Sequence, residues 1–360
     1  MSAVTTLGTK GEVRAELPAH RYLTTERTAL PESFAEQTVI LEHLKDTWLE
    51  HLLRFFKAAG MAERVKQARG AVRLFRLAPS YNAVITCGVL EGLLFAALQR
   101  VRGMRRSVHL MYDCLWYGGN KFKRAWMKYC LREVDCCVVW ASVEIDRYSA
   151  CYDVDRHKFL FIPHHHTTQR FRFEVGDDGY VFAGGNWSRD YRLFLKSALT
   201  VEFPCIIATN RGKELLGSVN IPQHVRVVAA THEEFRQLIA RSSIVVLPME
   251  AQHLHAGGQQ TFLNAMFMGK PVILTDPEGG RDYIQDGVSG RLIRYGDEEQ
   301  LTTAIRELMM NPELRFSMGE AARRFAAPLT TEACNTRIWA EVERLIKGRQ
   351  QALNDNAEGV

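Results

Sequence analysis

The sequence predicts an α/β protein built on two doubly wound parallel sheets, and three observations predict it. Short β-branched runs alternate with amphipathic helices along most of the chain, as strands covered by helices on both faces do. The 360 residues leave room for two domains of ordinary size. Residues 243–276, SIVVLPMEAQHLHAGGQQTFLNAMFMGKPVILTD, read as one complete strand–loop–helix–strand unit.

In chain order, residues 1–30 are polar without sustained periodicity and read as a mobile arm or edge element. Between Pro31 and Arg69 the apolar positions Phe34, Ile40, Leu41, Leu44, Trp48, Leu52, Leu53, Phe55 and Phe56 recur at helical spacing, predicting one long or two short helices. Val72-Arg-Leu-Phe75 ends a helix or a strand. Ala83 to Thr86 is a strand, Gly88 to Arg100 a helix, and Val108 to Tyr112 a strand ending in Asp113. Lys121 to Leu131 is a helix, and Cys136 to Trp140 and Phe159 to Ile162 are strands. The first domain shows few clear strands and no glycine-rich loop after its first one. His164-His165-His166 follow Pro163. Side chains alternate in an extended segment, so the three cannot comfortably share one metal; a single histidine lining a cleft is the better reading.

The second domain opens with the strand Tyr180 to Ala183, the loop Gly184-Gly185-Asn186-Trp187-Ser188-Arg189-Asp190, and a helix from Tyr191 to about Ala198. Cys205 to Ala208 is a strand with Asn210-Arg211-Gly212 at its end, where an α/β crevice receives ligands. Val225 to Val228 is a strand and Glu233 to Ala240 a helix. Ile244 to Leu247 has the length of a buried strand, and Pro248 stops it. A polar loop leads to Gly257-Gly258-Gln259-Gln260. From Thr261 the residues Phe262, Leu263, Ala265, Met266 and Phe267 suit a helix packed on a sheet. Gly269 stands at the C-cap, Pro271 forbids continuation, and Val272 to Leu274 is the next strand. Such a unit aims free helix N–H groups beyond its first strand, and two glycines let an anion approach the backbone closely. The plain alternative is a βαβ unit whose glycines only turn the chain. Helices follow at about 298–310, 312–325 and 331–347, and residues 350–360 read as a frayed tail.

Composition narrows the function classes. A hydrophobic share of 46% and a charged share of 24% are those of a globular protein. No run of about 18 apolar residues offers a membrane span, and the N-terminal MSAVTTLGTKGEVR has no apolar signal core. Eight cysteines without regular spacing argue for free thiols in a reducing, cytoplasmic setting. The net charge of +5 is uneven: residues 71–135 hold eleven Lys/Arg against four Asp/Glu. Lys121, Lys123, Arg124 and Lys128 interleave with Phe122, Trp126 and Tyr129. This face reads as a solvated helix or as a peripheral contact with an anionic membrane at the inner face. Nucleic acid is the weakest reading, since no recognised binding motif accompanies the charge.

The run from Pro248 through Asn264-Ala265-Met266, Gly269-Lys270-Pro271-Val272-Ile273, Asp282-Tyr283-Ile284 and Asp286-Gly287-x-x-Gly290 resembles the donor-binding region of the family 4 (group 1) glycosyltransferases. There the region reads approximately Pro-Ser, Glu-Gly-Phe-Gly, Leu-Glu-Ala-Met and Gly-x-Pro-Val-Ile. The resemblance extends from about Asp135 to Phe325. It implies the GT-B fold, two Rossmann-like domains facing a cleft: an acceptor-side domain at 1–165, a donor-binding domain at 166–330, and a C-terminal helix at 331–349 packed back on the first. It implies sugar transfer from a nucleotide-diphosphate sugar to a hydroxyl of a glycan, lipid-linked or small-molecule acceptor, with retention and without metal or other cofactor. On it, the donor lies against Gly184, Gly185, Arg189, Arg211, Gly257, Gly258, Gln259, Gln260, Thr261 and Asn264, with Arg189 at the family's phosphate-gripping lysine. Asp113, at a strand end, is a candidate acceptor base or a βα-turn cap; His165 is the second catalytic candidate. The family's two glutamates, eight positions apart, fall on Ala256 and Asn264. Asn264 can still bond a ribose hydroxyl, and Gln259 or Gln260 takes over sugar recognition. Two other classes stay open: another nucleotide-sugar enzyme such as an epimerase, and a binding protein of this fold without turnover.

Overall fold

The computed structural model describes residues 5–7, 22–24, 38–41, 59–102, 107–112, 114, 119–217, 219–251 and 254–358. They divide into two compact units. One comprises the described residues up to Val139, Ile145–Ile162 and those from Asn335 onward; the other comprises Trp140–Glu144 and Pro163–Cys334. The expected boundary at 165/166 thus falls inside Pro163–Cys334, and the short Trp140–Glu144 segment clusters with the second unit.

The first unit is organised on a parallel sheet of β1 (Thr5–Leu7), β2 (Tyr22–Thr24), β3 (Thr38–Leu41), β4 (Ala83–Thr86), β5 (Val108–Met111), β6 (Cys136–Val139) and β7 (Phe159–Phe161), in the order β1-β3-β2-β4-β5-β6-β7. This corrects three expectations. Of the arm or edge element expected at residues 1–30, β1 is indeed an edge strand, but β2 sits inside the sheet, with Tyr22, Leu23 and Thr24 fully buried. Leu23 packs with Leu74, Val84 and Phe95, and the Tyr22 ring meets Trp339 edge-on at 5.0 Å. Ile40 and Leu41, counted into a helical pattern, lie in β3. Seven strands also replace the sparse sheet expected. A three-residue strand between polar neighbours carries too few residues for any period to register. The helices Ala59–Leu77, Val89–Arg102 and Lys121–Leu131 flank this sheet's connections. The last helix, Thr331–Glu358, runs through most of the segment expected to fray.

The second unit carries β8 (Val181–Gly184), β9 (Cys205–Ala208), β10 (Val225–Val228), β11 (Ile244–Leu247), β12 (Val272–Leu274) and β13 (Arg291–Leu292). All pair in parallel, in the order β10-β9-β8-β11-β12-β13. Ile-Val-Val-Leu and Cys-Ile-Ile-Ala are buried at every position, as strands covered on both faces must be. One core runs along the sheet, from Val181, Phe194 and Ile207 to Ile244, Ile273 and Ile305. Strand order reverses between β8 and β11. In an open parallel sheet the crevice for a ligand opens at such a reversal, beyond the carboxyl ends of the strands.

Candidate functional site

The loops leaving β8 and β11 meet at this reversal. Asp190 N–H donates to the Pro248 carbonyl at 2.7 Å and Glu250 N–H to the Ser188 carbonyl at 3.1 Å. Asp190 then N-caps the helix Tyr191–Val201 through Leu193 N–H at 2.9 Å. Between the loops lies Arg189, only 6% exposed. Its Nε donates to the Gly184 carbonyl at 3.0 Å; Nη1 donates to the Trp187 carbonyl at 3.0 Å and approaches the Met249 sulfur at 2.9 Å. Burial lowers its pKa from the ordinary guanidinium value. Among the described residues no carboxylate forms an ion pair with it. A buried cation held by carbonyls and a thioether is an unbalanced charge.

Two glycines make room for it. Gly185 has φ +128°, and a Cβ there would stand 2.8 Å from Arg189 Nε and Nη2. Gly258, φ +91°, precedes the helix Gln259–Phe267 and supplies no side-chain cap. A Cβ on Gly258 would stand 3.6 Å from the same Nη2 and 2.9 Å from Leu247. The uncapped N-terminus of a nine-residue helix therefore lies beside the buried guanidinium. Both attract an anion, one by its partial charge and N–H groups, the other by its full charge.

Next to them is a cavity of about 280 Å³ at the ends of β8, β9 and β10, with Gly185, Asn186, Arg236, Gln260, Thr261 and Asn264 among its walls and no acidic side chain among the described residues that line it. Asn186 Oδ1 accepts from Thr209 Oγ1 at 3.0 Å and from Asn210 N–H at 2.8 Å, fixing the wall. Arg236 is buried; it donates to the His232 carbonyl at 2.7 Å and to Thr167 Oγ1 at 3.2 Å, and its guanidinium lies 3.5 Å from the Phe171 ring centre. Asn264 Oδ1 accepts from Thr167 N–H at 2.8 Å, so its amide ties the 163–168 segment to this helix as well as facing the cavity. Sequence reasoning missed Arg236, Asn186 and Thr209. The helix that carries Arg236 was readable, because Thr231-His-Glu-Glu234 is a capping box and both of its bonds form, but no local signal marks the arginine itself.

Position 256 has a physical reason for its alanine. Ala256 is fully buried, and its Cβ crowds the same space over Gly279 as the Asp276 carboxylate. A glutamate there would set like charges side by side. A buried carboxylate from elsewhere organises this loop instead. Glu144, 1% exposed, accepts from Trp140 N–H at 2.9 Å and Ala141 N–H at 3.0 Å with one oxygen. Its other oxygen accepts from Ala256 N–H at 2.8 Å and His255 Nδ1 at 2.7 Å. Neither Glu144 nor His255 was singled out from sequence.

The remaining candidates fall elsewhere. Arg211 is drawn into a bidentate pair with Glu214, donates to the Asn186 carbonyl at 2.7 Å, and lies 4.1 Å over the exposed Trp187 ring. Gln259 is buried and donates to the Ala256 carbonyl at 3.0 Å, whereas Gln260 faces the cavity. Gly257 leaves a Cβ 3.1 Å from the flexible end of Met249. His165 is buried beside Thr331 Oγ1 at 3.0 Å and does not line the cavity. His164 and His165 stack at 4.7 Å and 13°, so the expected alternation fails between them; His166 stacks on Phe267 at 4.0 Å. Burial, with His165 adding to it, holds His164 down to about 3. Among the described residues no cluster of His, Cys, Asp or Glu is arranged to hold a metal. Asp113 lies outside the described residues.

Residues 203–325 match the family described as glycosyl transferases group 1. A putative glycosyltransferase of Bacillus subtilis, EpsD, is 34% identical over 76 residues, 21% of this chain and 20% of that protein. The curated relatives are matched over only 20–28% of their own lengths. Among solved structures, Anabaena HepE in complex with UDP superposes with TM-score 0.66 at 12% identity, over 90% of this chain and 99% of that one. A glycosyltransferase of Rickettsia africae gives 0.64 at 15% identity, over 92% and 99%. Over residues 203–325 the chain therefore matches the group 1 glycosyl transferases, and its two parallel sheets have the GT-B fold.

Proposed function

We infer that the protein is a glycosyltransferase that moves a sugar from a nucleotide-diphosphate sugar to an acceptor hydroxyl. The observation that carries this is Arg189, a buried guanidinium without a carboxylate among the described residues, set beside the uncapped helix N-terminus at Gly258. In such a transfer negative charge grows on the departing diphosphate, and donors fixed in advance stabilise it without reorganising. Gly185, Gly257, Gly258 and the N–H groups of Gln259, Gln260 and Thr261 complete that cradle; Asn264 and the adjoining cavity hold the nucleoside. Arg211 acts by bracing the Asn186-Trp187 wall. The positive charge comes from the protein, so the reading calls for no metal. Retention at the anomeric carbon is carried over from the family resemblance.

The acceptor is a glycan or a lipid-linked hydroxyl, met by the first unit, with peripheral contact to an anionic membrane through Lys121, Lys123, Arg124 and Lys128. A cytoplasmic setting, at the inner membrane face, is supported by eight cysteines that are all free. No described helix is long and apolar enough to cross a membrane. The test is calorimetric titration with UDP, GDP and ADP, uridine first because HepE was solved with UDP, then product analysis of the matching sugar nucleotides with and without glycan and lipid-phosphate acceptors. Micromolar nucleotide binding and acceptor-dependent product support transfer. Epimerised donor without acceptor, or no binding to any nucleotide, rules it out.

A further inference from the structure

The helices Ala59–Leu77, Val89–Arg102 and Lys121–Leu131 of the first unit wall a groove of about 520 Å³, lined by Val72, Leu94, Leu98, Val101, Trp126 and Tyr129 among others. The third helix explains its character, because it carries two apolar faces. Met127, Cys130 and Leu131 are buried in the unit's core. Phe122, Trp126 and Tyr129, at i, i+4 and i+7, form a second stripe that the core does not use. Phe122 is 73% exposed, and across the groove Val101 is 79% exposed. The Trp126 and Tyr129 rings stack at 6.0 Å, and the Arg100 guanidinium lies 4.7 Å over Tyr129 while pairing with Glu133 at 2.9 Å. The rim is thus an ordered mixture of aromatics and cations.

Charge singles out what such a groove would take. The three helices carry eleven Lys and Arg against two Glu, and two of those cations, Arg100 and Lys128, pair with Glu133 and Asp153 from outside the helices. Arg64, Arg76, Arg102, Lys121, Lys123 and Arg124 are exposed. An apolar cleft walled by helices with so lopsided a charge matches a molecule that is itself an apolar chain ending in an anion.

We propose that this groove takes an acyl chain of an anionic phospholipid from a bilayer surface, the lipid phosphates meeting the surrounding lysines and arginines. One inserted chain holds a protein to a membrane only marginally, and a basic patch alone is screened by salt; together they anchor it. Trp and Tyr suit the depth at which chain gives way to headgroup. The inference rests on the membrane contact in the reading above and uses no residue of the donor site.

The experiment uses the full chain and vesicles of phosphatidylcholine with phosphatidylglycerol, with and without mid-chain bromine on the phosphatidylglycerol. Binding to the anionic vesicles should fall about tenfold or more as salt is raised. Bromine should quench part of the emission, and that part should vanish in Trp126→Phe, which still binds. Val72→Ser with Val101→Ser, both at exposed positions, should lower partitioning about tenfold with melting temperature and UDP binding unchanged. Vesicle binding with Trp126 unquenched by bromine removes the acyl chain from the groove and leaves surface contact standing. Absence of binding to anionic vesicles in dilute salt overturns both, and UDP titration of the same sample judges the donor site separately.

Discussion

The loops after β8 and β9 each carry an arginine at the same end of one sheet, yet the two differ in what balances their charge. Arg211 lies over Trp187 and shares a bidentate pair with Glu214, and its pKa is raised by that partner. Arg189 is buried and bonded to carbonyls, burial lowers its pKa, and among the described residues no carboxylate pairs with it. A paired, solvated arginine is already satisfied and braces its loop. An unpaired buried one is stable only because its surroundings hold it, and it gains most when an anion arrives. The difference separates a brace from a site, and neither residue type nor strand-end position does.

Arg189→Ala should have the largest effect, a loss of about 1.5–3 kcal/mol of donor binding, which is about ten- to a hundredfold in Kd for nucleoside diphosphate. Unchanged affinity in a folded variant would make Arg189 a brace like Arg211. Gly257→Ala comes next, since its Cβ crowds the movable end of Met249 and otherwise makes an ordinary contact with His255; blocked phosphate approach should weaken binding about tenfold while melting temperature holds. Gly258→Val is a poorer probe, because the left-handed backbone and Leu247 at 2.9 Å make it destabilising as well. Asn264→Ala should act more weakly, about 1 kcal/mol, seen in both nucleotide affinity and melting, because the tie to Thr167 N–H is lost too.

Arg211→Ala should change nucleotide affinity less than about threefold; a loss as large as that of Arg189→Ala would erase the distinction. The last test concerns other buried groups. Burial holds His164 down to about 3 and lowers His166, so both are neutral in the folded chain. The unfolded chain takes up these protons below about pH 6.5. Stability from this source is complete above that pH and declines as pH falls toward the folded values, by at most about 1.4 kcal/mol per unit for each histidine. Melting measured from neutral to mildly acid pH should show the decline, and His164→Gln should flatten it. A pH-independent melting temperature in that window would contradict the burial of both rings.

The second unit was legible strand by strand, and the first was not, for a reason of length. Ile244–Leu247, Cys205–Ala208 and Val225–Val228 each announce themselves as apolar β-branched runs between turn residues. Tyr22–Thr24 is as deeply buried, yet its three residues carry no period, and its place between β3 and β4 depends on residues far away in the chain. The donor loop divides the same way. Gly257, Gly258 and the helix behind them could be read from punctuation and pattern, because turn and cap chemistry is local. The Glu144 carboxylate that holds His255 and Ala256 could not, since it comes from more than a hundred positions earlier.

Order along the chain sets the α/β alternation, the parallel second sheet, the glycine-led helix after its strand and the arginine after another, because backbone geometry and burial periodicity are properties of neighbouring residues. The tertiary structure alone decided which arginine has an acid to balance it, which glutamine faces the cavity, and why position 256 is an alanine. Those are questions of which distant groups share one small volume with little water, where charge and hydrogen bonding are settled by contact rather than by order along the chain.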